Sequence, residues 1–137
     1  MLFTIVCIIQ YNVIIEVNDM SDVQKIVDKL LQELRRGTIT IGVLSQLAEP
    51  QYGYSLVTKL EEKGINVEPG TLYPLLRRLE KQGLLDSEWD TNESRPRKYY
   101  VRSSTGHQVY ELLCMEWRKI NTSMDGIIDV KGGTEDD

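Results

Sequence analysis

The chain has 137 residues, 41% of them hydrophobic and 27% charged, with a formal net charge of −5. That is the composition of one soluble globular domain with a modest core, and it excludes a binder that is basic all over. Two cysteines without a CxxC pair, Cys7 and Cys114, and a single histidine, His107, exclude a disulfide framework and a zinc site, leave no cofactor to expect, and make the cytoplasm the default compartment.

Residues 1–19 are apolar and carry no Lys or Arg, and Gln10, Tyr11 and Asn12 interrupt them. The run is short for a membrane span. It lacks the positive start and the cleavage site of a signal peptide. Met20 serves equally well as a start, so the leader is either an artefact of start-site assignment or an added element, a strand or a helix packed on a partner. From Val23 to Arg36, Ile26, Leu30, Leu31 and Leu34 share one face, with acids early and Arg35 and Arg36 late, which predicts an amphipathic helix with charges suited to its dipole. Thr38–Leu44 alternates like a strand. Glu49, Pro50 and Gln51 form a breaker. A helix is predicted over Tyr54–Lys63, with Leu56, Val57 and Leu60 inward and Gly64 ending it. Pro69 suits a helix start, and Pro74 is expected to lie within the first turns of that helix.

Next comes GTLYPLLRRLEKQGLLDSEWDTNESRPRKYYVR, Gly70 to Arg102. Leu72, Leu75, Leu76 and Leu79 recur at helical spacing, while Thr71, Tyr73, Arg77, Arg78 and Lys81 fall off that stripe. Gly83 stops the helix. A strand over Leu84–Trp89, a polar tip over Asp90–Pro96 and a strand over Arg97–Arg102 follow. The order helix, strand, basic loop, strand is that of a winged helix. Hydroxyls and arginines on the free helix face can enter a major groove, and Arg95, Arg97 and Lys98 can grip phosphates beside it. Residues 77–102 hold seven Lys or Arg against five acids, whereas residues 111–137 hold three against seven. A basic reading face and an acidic far side are expected. Ser103 is a candidate N-cap for a last helix on which Val109, Leu113, Trp117, Ile120, Met124 and Ile127 make a heptad-like seam. The tail from Lys131 to Asp137 is acidic and Gly-rich, with the composition of a disordered segment.

GTLYPLLRRLEKQGLL and RKYY, preceded by YGYSLVTKLEEKG, resemble the PadR family of bacterial transcriptional regulators over Leu34 to Gly106. The resemblance implies a mainly α fold with a small β-hairpin wing: a winged helix-turn-helix DNA-binding domain at 20–102, a C-terminal dimerisation helix at 103–130 and a tail at 131–137, preceded by an extension at 1–19. It implies a helix over the strand-like Thr38–Leu44, running to about Ala48, because so weak a propensity yields to tertiary context. It implies a homodimeric repressor on an inverted-repeat operator in double-stranded DNA. Tyr73 and the arginine-bearing helix would enter the groove, and Tyr54 and Lys59 would flank phosphates. The short C-terminal part resembles the small subclass, in which a planar aromatic effector can release the protein from DNA. With Leu113, Trp117, Ile120, Met124 and Ile127, the residues Ile26, Leu30 and Leu34 are the candidate dimer contacts.

Blander readings stand beside these. Arg77, Arg78 and Lys81 would make an ordinary solvated helix face, were it not for Thr71, Tyr73 and the wing. Tyr99, Tyr100 and Trp89 fit strand pairing and core packing. Trp117 is either dimer packing or part of an effector slot. His107 and Cys114 lie roughly 10 Å apart along a helix, beyond hydrogen-bond reach, so an enzyme is not expected. Arg102 stands where the family carries an apolar residue. It is expected to turn outward or to meet an acid across a dimer, leaving the end of the wing loosely packed. A winged helix that binds protein instead of DNA is the competing function.

Overall fold

A computed structural model describes residues 2–128, with side chains from Met20 onward. The tail expected over Lys131–Asp137 lies outside the described residues. Helix α1 spans Leu2–Gln46, and the chain divides after Thr38 into two compact units. In the first, Ile26, Leu30 and Leu34 make an exposed apolar row.

The second unit begins within α1. Here the strand-like alternation of Thr38–Leu44 yields to packing: Val43, Leu44 and Leu47 are fully buried at helical spacing. A two-residue strand β1, Gln51–Tyr52, follows, then α2 (Gly53–Glu62), α3 (Pro69–Lys81), β2 (Leu85–Asp90), β3 (Arg97–Arg102) and α4 (Ser104–Ile127). The antiparallel sheet has the order β1-β3-β2. β3 pairs Arg97–Arg102 with Asp90–Leu85 on one side, and Tyr99 and Tyr100 with Tyr52 and Gln51 on the other. The third strand overturns the reading of Gln51 as part of a plain breaker.

The core joins the end of α1 to Leu56 and Leu60 of α2, Leu72, Leu75, Leu76 and Leu79 of α3, and Leu85 and Tyr100 of the sheet. Pro69 sits in the first turn of α3 and Pro74, its sixth residue, in the second, both as expected. The four buried leucines on this helix hold it against the core despite the backbone donor that Pro74 lacks. Gly83 ends the region with φ +78°, and Leu84 N–H donates to Leu79 O at 2.9 Å.

Arg102 corrects the sequence-based expectation. It turns inward rather than outward, and the end of the wing is tightly held. Its backbone N–H donates to Leu47 O at 2.6 Å, and Nη1 donates to Leu44 O at 2.9 Å. The last carbonyls of a helix have no partner within the helix, and a cation suits that end of the dipole. The guanidinium also lies 4.5 Å from the centre of the Tyr110 ring. Nη2 is 2.9 Å from His107 Nδ1, and His107 Nε2 is 3.1 Å from Glu111.

Ser103 caps α4 as predicted: its Oγ accepts from Gly106 N–H at 2.9 Å and donates to Gly83 O at 2.7 Å. Gly106 is buried where a Cβ would lie 2.0 Å from Leu84 O. Because that obstacle is backbone, Gly106→Ala is expected to cost about 1–3 kcal/mol by forcing α4 off the sheet. Thermal unfolding followed by circular dichroism measures this, and an unchanged midpoint would contradict the packing.

Candidate nucleic-acid interface

The stripe of leucines that buries α3 leaves its opposite face in water. Thr71, Tyr73, Arg77, Arg78 and Lys81 are all exposed, as are Tyr54 and Lys59 on α2. Tyr73 is placed by a glycine. A Cβ at Gly53 would lie 2.5 Å from Tyr73 Cε1, so the ring lies across the first residue of α2 because no side chain is there.

Between the start of α2, α3 and the wing runs a groove of about 690 Å³. It brings together six of the ten residues singled out from sequence: Tyr54, Tyr73, Arg77, Arg95, Arg97 and Lys98. Lys59, Thr71, Arg78 and Lys81 are exposed outside its lining. Tyr52, Ser55, Trp89 and Tyr100 also line it, and no carboxylate does. Of these, Tyr100 is buried as the strand reading expected, whereas Trp89 is exposed.

The wing is braced at two places. On one face of the sheet, Tyr52 and Tyr99 stack with ring centres 3.7 Å apart, and the Tyr99 hydroxyl donates to that of Tyr52. The Tyr52 hydroxyl in turn donates to Asp90 Oδ2 at 3.1 Å. The bond with Tyr99, then burial and the Asp90 carboxylate, raise the Tyr52 pKa well above the ordinary phenol value. Asp90 is held below the usual carboxylate range by the Asn92 N–H and the Tyr52 hydroxyl. Arg97 lies over the Tyr52 ring at 5.1 Å and beside Glu93 at 3.6 Å. Nearer the helix, Lys98 Nζ is 3.0 Å from Glu80 Oε2. Lys98 is therefore not the unopposed wing cation that RPRK taken alone implies.

Residues 41–112 match the model of the transcriptional regulator PadR-like family. The chain belongs to the PadR-like family.

The transcriptional regulator Rv3488 of Mycobacterium tuberculosis is 36% identical over 77 residues, which span 56% of this chain and 72% of that protein. A PadR family transcriptional regulator from Eggerthella lenta superposes with a TM-score of 0.75 at 45% identity, covering 81% of this chain and 99% of that one. A PadR-like transcription factor from Bacteroides fragilis does so at 0.62 and 32%, covering 73% and 99%. This PadR-like chain is thus a winged-helix transcriptional regulator, and its family and relatives are regulators rather than enzymes. Among the described residues no helix is long and apolar enough to cross a membrane, and no group of side chains could hold a metal ion.

On α4 of this PadR-like regulator, Leu113 packs partly against the chain's own core. Trp117, Ile120, Met124 and Ile127 are exposed.

Proposed function

We propose that this regulator binds an inverted-repeat operator as a homodimer in the cytoplasm, represses the gene beside it, and is released by a planar aromatic effector. The observation that carries the DNA reading is the acid-free groove, whose lining includes Arg77 from α3 and Arg95 and Arg97 from the wing. Arg77, with Thr71 and Tyr73, is assigned to base edges in the major groove. Arg78, Lys81, Lys59, Tyr54, Arg95 and Arg97 are assigned to phosphates. Binding to a duplex carrying an inverted repeat from upstream of the protein's own gene tests this reading. The affinity should fall steeply with salt. Salt-independent binding to a protein, with none to duplex, would establish the interaction-module reading instead.

Dimerisation is assigned to α4. Ile120 is 53% exposed and Met124 42%, and a lone helix cannot bury such a row. Ile26, Leu30 and Leu34 are assigned a supporting part. Trp117 lies on the same row, so two copies near a two-fold axis could stack on a planar compound, each aromatic contact contributing about 0.5–1.5 kcal/mol beyond area. Such a ligand releases DNA only if it favours a dimer geometry unfit for the operator. In a Trp89→Phe background, a panel of planar dyes is expected to quench Trp117 fluorescence. No quenching with the dimer intact would leave Trp117 as packing alone.

A further inference from the structure

The acid-free groove has an acid directly behind it. Glu80 sits in the last turn of α3 and reaches both strands of the wing. Ser87 Oγ on β2 donates to Glu80 Oε1 at 2.8 Å. Lys98 Nζ on β3 lies 3.4 Å from Oε1 and 3.0 Å from Oε2. Oε2 is shut off from water and makes no hydrogen bond of good geometry, so it depends on the charge of that ammonium. Burial raises the Glu80 pKa, but the Ser87 hydroxyl and the Lys98 ammonium outweigh it and keep the group a carboxylate. The side chains are only 32% and 26% exposed, so the pair is less screened than a surface ion pair. Lys98 Nζ also faces the Tyr100 and Trp89 rings, at 5.1 and 6.0 Å from their centres.

We propose that Glu80 is a positioning residue: it ties the wing to the recognition helix α3 and holds Lys98 back from DNA, so that specificity is not diluted by an extra phosphate contact. This rests on the reading of the groove as the DNA interface. Lys98 lines that groove. Once its counter-charge is removed, an ammonium there has phosphate as its nearest alternative partner. A residue with a purely structural role predicts the opposite sign, because a loosened wing makes fewer phosphate contacts.

Glu80→Gln keeps an oxygen for Ser87 and removes the charge. On random duplex, the slope of log Kobs against log salt is expected to become steeper by about 0.9, the value for one added phosphate. Affinity for random DNA should rise, and the ratio of operator to random binding should narrow. Glu80→Gln combined with Lys98→Gln should return the slope to the wild-type value. A slope in Glu80→Gln that is unchanged or shallower, while wild type binds in a salt-dependent way, overturns the proposal.

Reductive methylation of the wild-type protein without DNA supplies a readout that needs no variant to fold. Lys98 is expected to react more slowly than Lys59 and Lys81, and equal rates overturn the pairing. A wild-type protein that ignores duplex DNA would overturn the reading of the groove, and with it the DNA half of this proposal. A slow Lys98 in that same protein would still uphold the pairing.

Discussion

Arg77→Ala is expected to lose about 1–3 kcal/mol of discrimination between operator and random duplex, with a much smaller loss on random DNA. Arg77 is exposed on α3, lines the groove and lies on the face opposite the buried leucines. Arg95→Ala at the wing tip should behave differently. It removes a cation assigned to phosphate, so binding should weaken by a similar factor on every sequence, and the salt slope should flatten by about 0.9. Fluorescence anisotropy on both duplexes over a range of salt separates the two effects. Matching behaviour of the two variants would mean that helix and wing have been assigned the wrong roles.

Ile120→Glu combined with Met124→Glu is expected to yield monomers in sedimentation. Full burial of such apolar side chains contributes about 1.5–3 kcal/mol each, and the substitution replaces that gain with charges facing charges across a two-fold axis. Both residues are exposed on α4, away from the core of the winged-helix unit, so the helical content and melting of that unit should hardly change. Operator affinity should collapse with the dimer. Two recognition helices must stand roughly 34–36 Å apart to meet successive major grooves, and a monomer holds only one half-site. A dimer that survives both substitutions would move the interface off α4.

The helix α3 and the wing hairpin were legible in the sequence because their signals are local. Leu72, Leu75, Leu76 and Leu79 at helical spacing, Pro69 ahead of them and Gly83 behind predict α3 and also which face it exposes. RKYYVR predicts β3 with the bounds observed. Ser103 predicts the cap of α4, since a cap is a bond between residues three apart. The exposed face of α3 and the arginines of the wing followed from the same patterns.

What the sequence did not disclose depends on partners far along the chain. β1 is two residues long and exists because Tyr99 and Tyr100 lie beside it, 47 and 49 positions later. No period can show in a strand that short. Tyr52 and Trp89 join the groove for the same reason: cross-strand pairing places them there, and nothing local marks them. Because it stands where the family carries an apolar residue, Arg102 is expected from sequence to turn outward or to meet an acid across a dimer. Its direction was decided by the carbonyls at the end of α1, about 58 residues earlier, which only folding brings within reach. Lys98 and Arg97 are adjacent cations in the chain, yet the pleat turns them to opposite sides. Both line the groove, yet one meets Glu80 and the other lies over the Tyr52 ring. The sequence by itself determined α3, the wing hairpin and α4, and which charges they carry. Tertiary structure decided which of those charges are already answered, because electrostatic pairing depends on distances that the order of residues does not contain.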